Sequence, residues 1–229
     1  MTTQETWTGR ITYCNAADVQ NGVEHFSITK LPSGITSLNA TCEIWDDALV
    51  RQCLLTLDAA DQPINACVQT FEHGLLLGSA TYRFEPNQAM CSWPGAAAQS
   101  ALDYRIEFFG THALINDGWL AKALPADRSE AFLKRMATCS HQPNGGGAPG
   151  LLATSAHLAR GPKTQIDLGF HTFDVLHYSV RYGDFPPLDM WVCVQTGILV
   201  RLTWDYTGDC FQLEALAQSK AEESDNRPS

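Results

Sequence analysis

The chain has 229 residues, with 15 Lys plus Arg against 25 Asp plus Glu, a net charge of −10, and 45% apolar residues. High apolar and low charged content exclude a disordered or coiled-coil chain, and the length lets a core form without disulfide or metal staples. The acidic balance disfavours nucleic acid and anionic lipid as partners, because both demand Lys and Arg.

The first residues, Met1-Thr2-Thr3-Gln4-Glu5, have neither a basic stretch nor an apolar run. No apolar run approaches the ~18 residues of a membrane span. The expectation is a cytoplasmic protein, with its eight Cys reduced and acting as small core hydrophobes.

Apolar residues then recur at period two, the mark of half-buried strands. In chain order, Phe26 and Ile28 form a first stripe, and Leu38, Ala40, Cys42 and Ile44 a second. Cys53, Leu55 and Leu57 follow, then Ile64, Ala66 and Val68, then Leu76, Ala80, Tyr82 and Phe84. Residues 90–93 are a shorter candidate, and Leu102, Tyr104, Ile106 and Phe108 alternate with Asp103, Arg105 and Glu107. Turns fall at 31–34, 58–63 and 73–74.

The period changes after Trp119. Asp127 and Glu130 are spaced as a capping box, and Phe132, Leu133 and Met136 share a helical face. This predicts one amphipathic helix near 128–138. Residues 144–150, Asn-Gly-Gly-Gly-Ala-Pro-Gly, read as a flexible loop. Strands resume over 172–182, 188–194, 198–204 and 211–215, with turns at 184–187, 196–197 and 206–209, in the spacing of an antiparallel meander.

One helix is too few for parallel crossovers. The fold expected is mainly β: a single curved antiparallel sheet, as barrel, half-barrel or β-roll, with a two-sheet sandwich as the alternative. It forms one domain over 1–216, made of a β half at 8–119, a helix and Gly-rich loop at 120–150 and a β half at 164–216. Residues 217–229 read as a flexible tail.

Leu57-Asp58, Gly78-Ser79, Phe109-Gly110-Thr111-His112, Asp117-Gly118-Trp119 and Met190-Trp191-Val192 give a cadence that resembles an uncharacterised bacterial family of antiparallel β half-barrels. The likeness spans roughly two thirds of the chain. It implies the fold and brings no function. In strand layout the chain is also similar to barrels that bind lipids or other small ligands.

Motif chemistry is sparse. There is no His-Glu-x-x-His and no Cys-x-x-Cys, and His171 and His177 lie ~20 Å apart along one strand, so no metal or cofactor is expected. The Gly-rich loop follows the predicted helix instead of opening one and ends in no Gly-Lys-Ser/Thr, which excludes a phosphate loop. Gly78-Ser79-Ala80 lacks the second glycine of a nucleophile elbow. Cys139 and His141 merely flank the loop.

Acid–base candidates remain. His112 with Asp117 lies at a strand-to-helix junction, and His171, His177 and Tyr178 lie on one strand with Phe173. Arg105, Tyr104, Phe173, Trp119 and Trp191 are candidate ligand contacts. Three functions follow. The first is binding of a small hydrophobic molecule in a β cavity. The second is a cofactor-independent hydratase, dehydratase, isomerase or lyase. The third is a homodimerisation module using exposed strand faces.

Overall fold

A computed structural model describes residues 3–95, 99–124 and 127–221. The strands are β1 (Gln4–Cys14), β2 (Gln20–Lys30), β3 (Thr36–Ile44), β4 (Leu49–Leu57), β5 (Pro63–Glu72), β6 (Leu75–Phe84), β7 (Ala89–Ser92), β8 (Gln99–Leu102) and β9 (Phe108–Gly110). Helix α1 (Leu114–Leu120) and a 3-10 turn (Ala121–Ala123) come next. Then follow β10 (Glu130–Thr138), β11 (Leu152–Asp167), β12 (Thr172–Tyr182), β13 (Leu188–Cys193), β14 (Leu199–Trp204) and β15 (Asp209–Ala221).

All fifteen strands among the described residues join one sheet, in the order β8-β7-β6-β5-β4-β3-β2-β1-β15-β14-β13-β12-β11-β10-β9. Neighbours are antiparallel except β9 with β10, which are parallel. The first and last strands pair along their length, from Gln4 opposite Ala221 to Cys14 opposite Cys210. β8 and β9 lie at opposite edges of the sheet, yet only residues 103–107 connect them. Five residues reach at most ~20 Å, so the sheet must curl until its edges almost meet. Phe109 of β9 packs across that seam against Tyr82 and Phe84 of β6, at ring separations of 4.5 and 5.0 Å. The structure is therefore the expected single curved antiparallel sheet, without closure by hydrogen bonds.

The concave side holds one continuous hydrophobic core, from Ile11, Ile28, Leu38 and Leu55 to Val180, Met190 and Leu202. Two interior segments fill it: 111–124, carrying α1, and 139–151. All eight cysteines are free, and Cys42, Cys53, Cys91, Cys139 and Cys193 are buried. Among the described residues no helix is long and apolar enough to cross a membrane.

Four local expectations are corrected. Residues 128–138 form no helix: β10 occupies 130–138 and pairs with β11. Leu133 opposes Ala156 while Met136 opposes Thr154, so a bulge places three steps of β10 against two of β11. That bulge puts Leu133 and Met136 on one side and imitates the i, i+3 spacing of a helix. Residues 102–108 are not one strand, because the chain leaves one sheet edge at Leu102 and rejoins the other at Phe108. The tail does not begin at 217, since β15 runs to Ala221; the remainder of the expected tail lies outside the described residues.

The glycine-rich stretch is packed rather than loose. Ser140 Oγ donates to Gly146 O at 2.7 Å, Tyr82 Oη to Gly150 O at 2.9 Å and Trp93 Nε1 to Pro149 O at 2.8 Å. Gly145 has φ +69°, and a Cβ there would collide with the Arg51 guanidinium. Glycine allows both the left-handed backbone and the close approach.

Candidate functional site

Glu24, Cys42, Arg51 and Thr70 stand opposite one another across β2, β3, β4 and β5. Each is almost wholly buried on the concave side. Arg51 Nη1 donates to His112 O at 2.6 Å, and Nη2 donates to Asn144 O. One guanidinium thus holds both interior segments. Glu24 Oε2 accepts from Leu114 N–H (2.7 Å), Tyr13 Oη (2.7 Å) and Cys42 Sγ (3.4 Å), and Oε1 accepts from Ile115 N–H (2.9 Å). The Leu114 and Ile115 amides are orphan donors at the start of α1, whose N-cap Ala113 has no side chain to satisfy them. Burial raises the Glu24 carboxyl, and the four donors pull it back.

The residues expected to do acid–base work sit in this frame. His112 adopts φ +57°, and its Nε2–H donates to Ser140 O at 2.8 Å; the carbonyl fixes the tautomer because it can only accept. Burial, then the Arg51 charge, push the ring down to about 4, so it is neutral at physiological pH. Asp117 does not meet His112. Its Oδ1 accepts from Tyr182 Oη of β12 at 3.1 Å. Burial pushes Asp117 up to about 7, the Tyr182 hydrogen bond opposes this, and the Glu24 charge adds to it.

A raised carboxyl makes the folded state hold a proton that the unfolded chain has lost. Stability through Asp117 therefore falls as pH rises from about 4 to about 7. One unit is about 1.4 kcal/mol. After discounting for partial exposure, Asp117→Asn should gain roughly 2 kcal/mol at pH 8 and almost nothing at pH 4. Urea titrations at the two pH values check this, and an equal gain at both would contradict it.

The open space lies near the far end of α1. A cleft of about 310 Å³ is walled by Trp7 of β1, Ile28 of β2, Trp119 of α1, Leu176 and Tyr178 of β12 and Val192 of β13. Its polar boundary includes Glu5, Lys30, Lys122 and Gln195. Trp119 is fixed from behind, where its Nε1 donates to Asp61 Oδ1 at 3.1 Å. Lys122 also binds Asp61, at 3.1 Å, and lies 4.5 Å above the Trp119 ring. Glu5 is held by Lys220 at 2.7 Å. Among the described residues, Lys30 makes no ion pair. A second hollow, of about 460 Å³, is bounded by Phe132, Ser155, His157, Arg181, Gly183 and Asp184. Its single large apolar wall, Phe132, is exposed, so it gives a ligand little to be buried against.

Of the residues named from the sequence, Trp119 and Tyr178 meet in the cleft. The others are elsewhere. His177 Nε2 bonds Asp189 Oδ1 at 2.6 Å, with its ring 5.0 Å from that of Trp191. His171 stacks edge-on against buried Phe173 at 4.5 Å. Tyr104 and Arg105 belong to the connection between the sheet edges. No histidine borders the cleft, and among the described residues no group of His, Cys, Asp and Glu is arranged to hold a metal.

Sequence reasoning missed Glu24 and Arg51. The signal was present: Glu24 shares the parity of Phe26 and Ile28, and Arg51 that of Cys53, Leu55 and Leu57. A charge on an inward stripe requires an interior partner.

A curled antiparallel sheet packed around interior segments defines a β-barrel-like protein. Among solved structures the fold is similar to a beta-barrel-like protein of the domain of unknown function DUF1849 from Brucella abortus. The two share a TM-score of 0.58 and 11% identity over 97% of this chain and 99% of that one. At that identity the likeness is one of fold, and it accords with the resemblance carried by the sequence. No family model and no curated protein matches the chain.

Proposed function

We propose that the protein binds a small, mostly apolar molecule in the cleft between Trp7, Trp119 and Tyr178. The observation that carries this reading is a cleft of about 310 Å³ whose border gathers the aromatic and aliphatic side chains of Trp7, Ile28, Trp119, Tyr178 and Val192. Binding sites for small molecules combine such walls with a few polar groups that orient the ligand. Lys30 and Gln195 stand where those groups are needed. The volume suits a molecule at the small end of the usual ligand range, roughly 300 Å³. With no histidine on the cleft, nothing favours the acid–base reaction over binding.

Val194 borders the cleft and is exposed, so Val194→Trp should close the mouth without disturbing the core. The probe is 1-anilinonaphthalene-8-sulfonate, followed by its own fluorescence and displaced by decanol. One decanol-sensitive site is expected, weakened about tenfold or more by Val194→Trp. Decanol-sensitive binding that is indifferent to Val194→Trp would place the site elsewhere and refute the proposal.

A further inference from the structure

The antiparallel order brings five turns to one end of the sheet: 15–19, 45–48, 73–74, 183–187 and 205–208. Successive turns are two strands apart, roughly 10 Å. They also touch. His73 N–H donates to Ala48 O at 2.9 Å, and Trp45 N–H to Asn21 O at 2.8 Å. Gly208 abuts Ala16 so closely that a Cβ would meet it. Trp204 Nε1 donates to Pro186 O at 3.1 Å, and the Phe185, Trp204 and Tyr206 rings follow one another at 6.0 and 5.4 Å. The turns form one connected rim.

Each part of that rim presents large apolar side chains to solvent. Val19, Trp45, Leu75, Leu76, Phe185 and Tyr206 are between 39% and 71% exposed. Between them stand the exposed carboxylates of Asp18, Asp46, Asp47, Glu72, Asp184 and Asp205. The five turns contain no Lys or Arg; Arg181, near the end of β12, is the closest in sequence to the 183–187 turn. The opposite end carries both signs, with Lys30, Lys122 and Lys220 beside the cleft and Asp58, Asp61, Glu85, Asp103 and Glu107 in its turns.

We infer that this acidic, aromatic rim docks a protein segment that is cationic and carries apolar side chains. Large apolar side chains exposed together at one end of the sheet and rimmed by polar residues mark an interaction site, and Trp and Tyr are the residues that anchor protein interfaces. The carboxylates select the sign of the partner and speed its approach. They also repel an anionic lipid surface, which would otherwise suit exposed aromatics.

The test uses the full chain and a labelled amphipathic Lys/Leu peptide, read by fluorescence anisotropy beside its Glu/Leu counterpart. The Lys/Leu peptide should bind, more weakly as salt rises, and the Glu/Leu peptide should not. Trp45→Ser with Tyr206→Ser, both at exposed positions, should weaken binding about tenfold or more while the melting temperature holds. Glu85→Gln with Asp103→Asn, away from the rim, should change nothing. Equal loss from the distant pair, or no loss from the rim pair, would reduce the effect to general attraction of an acidic protein and overturn the inference. Sedimentation of the protein with phosphatidylcholine or phosphatidylglycerol vesicles but no peptide binding would overturn it in favour of a membrane. Self-association abolished by Trp45→Ser, without peptide binding, would overturn it in favour of a second copy.

Discussion

Arg51→Met is expected to release both interior segments at once and to lower stability by about 3 kcal/mol or more. The side chain is 1% exposed, and two of its nitrogens hold the carbonyls of His112 and Asn144. Met preserves much of the volume, so the loss isolates the hydrogen bonds and the charge instead of a cavity. Two buried carbonyls lose their donor. The unfolding midpoint in urea should fall. Amide exchange should quicken selectively in 111–117 and 139–150, while β1, β2 and β3 stay protected. Uniform quickening along the chain would show that Arg51 supports the sheet in general rather than latching its interior.

Glu24→Ala should cost about 3–5 kcal/mol, which for a chain of this size is a fall in melting temperature on the order of 10 °C. It leaves the Leu114 and Ile115 amides, the Tyr13 hydroxyl and the Cys42 thiol without their acceptor. Those amides are the opening of a helix of only seven residues. Such a helix has little intrinsic stability and depends on its cap and its packing. α1 carries Trp119, so Glu24→Ala should also weaken any ligand in the cleft. Calorimetry of Glu24→Ala, Arg51→Met and the double variant checks the coupling. The double variant should cost clearly less than the two losses combined, because they dismantle one latch. Full additivity would make them independent supports.

Much of the sheet was legible in the residues. The turns at 31–34, 73–74 and 184–187 fall between observed strands, the one expected at 58–63 overlaps β5 only at Pro63, and the stripe Leu38, Ala40, Cys42 faces inward along β3. Local alternation records which side of a strand is buried, and hairpin turns record where it ends. What failed was governed by distant contacts. The bulge in β10 is visible only against β11, and without it Leu133 and Met136 mimic a helix. The cap of α1 comes from Glu24, 90 residues away in sequence, so nothing near Ala113 announces a helix. The glycine-rich segment looks loose by composition, yet its glycines allow the chain to lie against Arg51.

The cleft shows the same division. Trp119 and Tyr178 could be named as aromatic residues on suitable segments. That Trp7 and Ile28 complete the wall follows from β1 pairing with both β2 and β15, which brings the beginning of the chain beside its last strands. Pairing between residues two hundred apart leaves no local trace. The histidines attracted attention by chemical type, but their neighbours give them structural tasks: His112 ties two interior segments, and His177 pairs with Asp189.

Occupancy of the Trp7–Trp119 cleft is measured most directly by native mass spectrometry of the protein purified from its own source. The expected spectrum shows the chain with one small molecule of added mass, and the Val194→Trp chain prepared in parallel without it. A bare chain in both preparations, or the same added mass on Val194→Trp, would contradict binding in the cleft.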